Sequence, residues 1–465
     1  MTFWIWIFGG LYAALLIFAS LKSYKKGRTS EEFMLAGSSI GMVLGLLTFA
    51  AALFSTFTFL GMPDFFRLHG VGAWIFLAVS DGVMVFFILW FGYHIRKKVK
   101  TMGFKGVAGL IGKCYENKWA GYFLFLSAFI FLIPYVGIQI QGISIFMNAA
   151  FPGALPAWGW AVAIVAVMLV YSEIGGFKAI IYSDAIQGVL LLTVIWIIGV
   201  NCLSHFGGVG AMFDRIEVVN QELLSTPGPK ELFTPQFLIA SLIVIVMIPV
   251  SQPQFTTRLV VMKSMKSMHL MAVALGLFAI LVITPTIFIG FYGADLYGNE
   301  TGATFFSNTF LHDQKGYVAA LAIVGLIAAG LSTTNAQIFA LGSELRGLLK
   351  GDEKSVMMKT KIGIFVFSII ALVFSLLVID QIAMLARLSF AGTATMAPMV
   401  IAGILSKKKL PFAIPLLSFF VLITFLLSLA GVVPDMIGGF RLDLILFFFL
   451  AVTVSTIAVI TNQSH

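Results

Sequence analysis

The sequence predicts an all-α integral membrane protein of about thirteen transmembrane helices, and three observations carry that prediction. Of 465 residues, 60% are hydrophobic and 11% charged, against roughly 25% charged in ordinary soluble domains, so a solvated surface all round is not possible. Apolar runs long enough to span, on the order of 20 residues each, recur from end to end and leave no room for a separate soluble domain. Lysine and arginine gather in alternate connections, the asymmetry that marks the cytoplasmic side of a membrane protein.

Taken in order, spans are expected at about 4–21, 40–60, 71–91, 120–147, 158–171, 181–203 and 237–251, then at 271–291, 318–341, 362–379, 382–405, 411–432 and 442–460. The fifth, seventh and tenth are short. The first exceeds a signal-peptide core, and its basic cluster (Lys22, Lys25, Lys26, Arg28) follows the apolar run instead of preceding it. With the N-terminus outside, the inner connections hold about 23 of the 29 lysines and arginines. The remainder are Arg67, Arg215, Lys230, Lys315, Arg387 and Arg441. The net charge of +9 is therefore a topology signal, and no nucleic-acid partner is expected. The expected location is the plasma (inner) membrane, multi-pass, with the C-terminus cytoplasmic. Cys114 falls in an inner connection and Cys202 near the outer end of the sixth span, so this topology keeps them from bonding within one chain.

Five spans, the second to the sixth, precede five more, the seventh to the eleventh. An odd number makes the second set enter from the opposite side, which is the arrangement of an inverted repeat. The chain reads as one domain over 1–465. A leading helix and inner loop occupy 1–38, a first inverted repeat 39–203, a second 236–405, and two trailing helices 406–465.

Chemistry is sought where polarity interrupts these spans. The stretch YSEIGGFKAIIYSDAIQGVLL places Asp184 and Gln187 inside an apolar run. Carboxylates are expensive in hydrocarbon and usually functional. In the second span Ser55, Thr56 and Thr58 precede Gly61 and Pro63, which favours either an unwound segment with free carbonyls or hydroxyls bonded back to the preceding turn. The ninth span carries Ser332, Thr333, Thr334 and Asn335 in succession. Asp81 lies near the middle of the third span, where it could meet an ammonium group, accept a proton, or pair with a base. Arg387 could pair with Asp81 or Asp380, or receive a carboxylate. No G-x-x-x-x-G-K-[ST] phosphate loop is present, the six histidines are scattered without zinc spacing, and no nucleophile–base pair is visible. An enzyme is not expected.

The run from Tyr171 to Gln187, with its Gly175-Gly176 turn and Ser183-Asp184-x-x-Gln187 helix start, resembles the signature of the sodium:solute symporter family. Ala329-Gly330-Leu331-Ser332-Thr333 resembles that family's sodium motif. The resemblance implies a LeuT-like five-plus-five fold and sodium-coupled import of a small solute. It implies a sodium shell of hydroxyls from Ser332 and Thr333 with carbonyls from Ala51, Phe54 and Ala329, and no organic cofactor. Asp184 would act in ion coupling, or else cap the inner end of the sixth span. A second sodium is not implied, because Asn335 and Ala336 stand where paired hydroxyls are expected. For the solute, Ser55, Thr56, Gln139, Gln252, Asp81 and Arg387 are the candidates.

Gln252-Pro253 resembles the family's broken helix, with Arg258 as its inner anchor. The pattern is closest to the proline, pantothenate and monocarboxylate branches, although Ile245 and Pro249 replace the aromatics of the proline-transporting branch, which argues against proline. An amino acid or monocarboxylate is the expected solute. The alternatives are proton coupling through Asp81 or Asp184, and a sensor, which would need a separate signalling partner. The other partner expected is the lipid bilayer; lipid-facing and subunit-facing apolar surfaces read alike in sequence.

Overall fold

A computed structural model describes residues 1–24, 29–35, 40–377 and 382–463. Helices make up nearly all of it. Besides the connections, the described residues hold a two-strand ribbon, Met436–Ile437 against Phe440–Arg441, which turns the chain between its last two helices, and an isolated bridge between Ile40 and Met262.

Helix α1 (Thr2–Ser23) leads into a broken pair, α2 (Met42–Leu53) and α3 (Met62–His69), joined through a π-helical turn at Phe57–Gly61. The pair bends by 63°. Helices α4 (Gly72–Met102) and α5 (Lys118–Ala150) follow, and α6 runs from Ala157 to Phe206 with a kink at Gly176. A second break separates α7 (Pro235–Val246) from α8 (Pro253–Val260). Then come α9 (Met265–Tyr297), α10 (Gly316–Leu348), α11 (Glu353–Leu377), α12 (Leu385–Leu405), α13 (Ala413–Leu429) and α14 (Leu442–Gln463).

Among the described residues nine helices are long and apolar enough to cross a bilayer, and the bent α2–α3 pair qualifies if taken as one span. The segments Ala157–Val170, Pro235–Val246 and Ala413–Leu429 are apolar but shorter. The molecule is thus a multi-pass membrane protein, while the expected thirteen spans and inverted repeat go beyond what helix length and composition carry.

Burial separates centre from rim. The apolar window of α10 is 78% buried, whereas those of α1 and α14 are 22% buried. Helix α10 packs against α5, α6 and α11, and α2 packs against α6 and α9. At the end carrying most of the basic residues, Arg96 donates to the carbonyls of Leu259 (2.9 Å), Val260 (2.9 Å) and Met262 (2.7 Å), closing the C-terminus of α8. At the same end the Glu344 carboxylate accepts from the backbone N–H groups of Val107 and Ala108, at the start of the short helix Val107–Cys114. Cys114 and Cys202 are both free and buried.

Candidate functional site

The break after α2 is where backbone groups become available. Phe54 caps α2 with extended dihedrals (φ −90°, ψ 122°), so the helical ladder stops there. Side chains take over the freed N–H groups: Ser55 N–H donates to Thr58 Oγ1 (3.0 Å), Thr56 N–H to Gln139 Oε1 (2.9 Å), and Phe57 N–H to Ser55 Oγ (3.1 Å). Such replacement partners are what allow a helix to be interrupted in a membrane. Helix α5 supports the break from the side, with Tyr135 Oη 3.3 Å from Ser55 Oγ.

The carbonyls of the broken turn meet α10. Ser332 Oγ lies 2.8 Å from the carbonyl oxygens of both Ala51 and Ala329, and Thr333 Oγ1 donates to Ala51 at 3.2 Å. All four residues are essentially fully buried. Four oxygens with only two hydroxyl protons among them make an electron-rich cluster, and carbonyls of discontinuous helices are suited to a hard monovalent cation. Phe54, the fifth expected ligand, sits at the break itself and lines the adjoining cavity.

Asp184 belongs to a different assembly. It is fully buried within α6, where its Oδ2 accepts from Arg258 Nη2 at 2.8 Å and from Thr48 Oγ1 at 2.5 Å. Arg258 Nε in turn donates to the carbonyl and hydroxyl oxygens of Thr48, each at 3.0 Å. The pair therefore ties α6, α8 and α2 together. Arg258, read from the sequence among the inner-connection charges, is in fact 1% exposed, because Asp184 compensates its charge inside the protein. Gln187 donates to Tyr12 Oη at 2.7 Å and fastens α6 to α1.

The candidate solute residues divide into two groups. Asp81 and Arg387 line one small cavity beside the break, together with Phe57, Phe76, Tyr135 and Phe390. Arg387 is not paired with Asp81: its Nη2 donates to Asp443 at 2.9 Å and its Nε to Ser241 Oγ at 3.1 Å. Asp380 lies outside the described residues. Ser55, Thr56 and Gln139 are fully buried at the break, where the Thr56 hydroxyl and the Gln139 amide nitrogen have no hydrogen-bond partner among the described residues. Gln252, at the second break (φ −109°, ψ 114°), donates to Thr393 Oγ1 at 3.4 Å and accepts from Gln254 at 2.6 Å.

Sequence reading missed Asp443, Thr48 and Ser241. Asp443 stands in Arg441-Leu442-Asp443 at the mouth of the last helix, where an acid reads as a surface charge.

Comparison with known proteins follows the same lines. A model described as "Sodium:solute symporter family" matches residues 33–349. The "High-affinity proline transporter PutP" of Bacillus subtilis is 22% identical, over 92% of this chain and 94% of its own length. The "Sodium/pantothenate symporter" of Haemophilus influenzae is 26% identical over 54% of this chain and 52% of its own length. Matches of that kind span about half the relative, as does the match to the "Uncharacterized symporter YhjB" of Bacillus subtilis, which covers 45% of that protein. A solved structure of a Na+-coupled sialic acid symporter, substrate-bound and outward-open, superposes with a TM-score of 0.79 over 97% of this chain and 96% of that one at 15% identity, a likeness of fold.

Proposed function

Since the chain belongs to the sodium:solute symporter family, we propose that it imports a small polar solute, an amino acid or monocarboxylate, by alternating access driven by sodium. The observation that carries the reading is the convergence of the Ser332 and Thr333 hydroxyls on the Ala51 carbonyl at the break after α2. Sodium held by Ala51, Ala329, Ser332 and Thr333, with Phe54 as the fifth ligand, would pin α2 to α10 and complete the solute site beside it. Ser55, Thr56, Gln139, Gln252, Asp81 and Arg387 are the solute-side residues. Asp184, locked to Arg258, would couple ion occupancy to the packing of α6 against α8.

The bent pair and the three shorter apolar helices, counted as spans, bring the total to the thirteen read from the sequence. That count favours a five-plus-five inverted core, with the basic end cytoplasmic, the N-terminus outside and the C-terminus inside. The test is uptake into proteoliposomes of labelled amino acids and monocarboxylates under a sodium gradient, a proton gradient or neither, with Ser332→Ala/Thr333→Ala alongside. Sodium-driven accumulation that the double substitution abolishes is expected. Proton-driven accumulation untouched by it would overturn the sodium assignment, and no uptake under any gradient would favour a sensor.

A further inference from the structure

Among the described residues the buried carboxylates are matched, with one exception. Asp184 faces Arg258, the largely buried Asp443 faces Arg387, and Glu344 takes two backbone N–H groups. Asp81 is 6% exposed, and among the described residues no donor or base reaches its carboxylate. It lies two residues past a π-helical turn, Ile75–Val79, an interruption that shifts the helix face presented to the interior and that recurs at functional sites. The cost of an unmatched carboxylate at such depth is substantial, so its retention calls for a counter-charge that arrives from elsewhere.

The cavity that Asp81 lines supplies the rest of the argument. Phe57, Phe76, Tyr135 and Phe390 contribute aromatic surface, and Leu53 and Phe54 connect it to the break that bears the candidate sodium ligands. Arg387, the base on this wall, is already held by Asp443, by the Ser241 hydroxyl and by the Phe237 ring 4.6 Å away. The unbalanced charge on the cavity wall is therefore negative, and aromatic residues share that wall. A carboxylate among aromatic faces is the chemistry that recognises an ammonium group.

We propose that the transported solute carries a protonated amine and that Asp81 is its counter-ion, an inference that rests on the transport reading above. A carboxylate on the solute is tolerated, at the Arg387 side, but does not suffice. Simple monocarboxylates are then not substrates, which narrows the class to amino acids and small organic amines.

The experiment uses the full chain in proteoliposomes with an inward sodium gradient and three matched probe sets. These are alanine, propionate and ethylamine; valine, isovalerate and isobutylamine; and phenylalanine, hydrocinnamate and phenethylamine. Accumulation of an amine-bearing probe, exclusion of its deaminated partner, and a loss of about tenfold or more in Asp81→Asn with partial recovery in Asp81→Glu are expected. Sodium-induced thermal stabilisation should persist in Asp81→Asn, which shows that the variant folds and keeps its ion site. Deaminated acids accumulating as well as their parents, uptake surviving in Asp81→Asn as it would if the acid worked in its neutral form, or failure of every amine-bearing probe would each overturn the proposal. Amine uptake that ignores sodium would instead sink the coupling reading and leave the amine assignment standing.

Discussion

Ser332 and Thr333 each donate one hydroxyl proton to the Ala51 carbonyl, and each hydroxyl oxygen keeps lone pairs that can coordinate a cation. Removing both hydroxyls should weaken sodium-dependent thermal stabilisation by at least about tenfold in half-saturating sodium, while potassium should fail to stabilise either protein. The Asp184–Arg258 pair makes a separate prediction. Asp184→Ala leaves a guanidinium buried and uncompensated, a loss of about 3–5 kcal/mol, whereas Asp184→Leu/Arg258→Met removes both charges and should recover most of it. Unfolding of the detergent-solubilised variants would read this, and a double variant as weak as the single one would mean that the pair is not the source. Asp184 was legible because an acid in an apolar run is conspicuous. Its partner was not, since Arg258 lies in a segment whose neighbouring lysines make it look like one more cytoplasmic charge.

At the scale of elements, the breaks do what the intact helices cannot. Pro253 ends one helical run and begins another, and the sequence announces it. The first break has no such mark at Phe54; it is stabilised by Gln139, which reaches from α5 to take the Thr56 N–H. The kink in α6 depends on Gly176, whose φ of 63° and ψ of −162° lie in a region that only glycine adopts readily. Gly176→Ala should therefore cost about 1–3 kcal/mol. The control Gly9→Ala, where a methyl group meets nothing within 4 Å, should be close to neutral. Equal midpoints of thermal unfolding for the two variants would contradict the strain argument. The hydroxyl run in α10 was readable, because four polar residues in succession cannot all face lipid. The direction each one faces was not.

For the whole molecule, the distribution of charge predicts the sides of the membrane. In a Cys114→Ala/Cys202→Ala background, Lys100→Cys and Asn299→Cys place single thiols at exposed positions at the two ends of the bundle. An impermeant maleimide applied to whole cells should label Asn299→Cys and spare Lys100→Cys; the reverse pattern would invert the proposed orientation. The sequence by itself determined the membrane class, the order of the apolar segments and the sodium:solute symporter resemblance, and that resemblance implied the candidate residues of the electron-rich cluster. Those properties follow from composition, periodicity and local motifs, which lie within single segments of chain. Only the tertiary structure decided that Arg258 answers Asp184, that Asp443 and not Asp81 answers Arg387, and that Gln139 secures the broken turn. The physical reason is distance along the chain: these partners are separated by 74, 56 and 83 residues. The low dielectric that makes each unmatched charge or amide costly acts only after packing has brought the helices together.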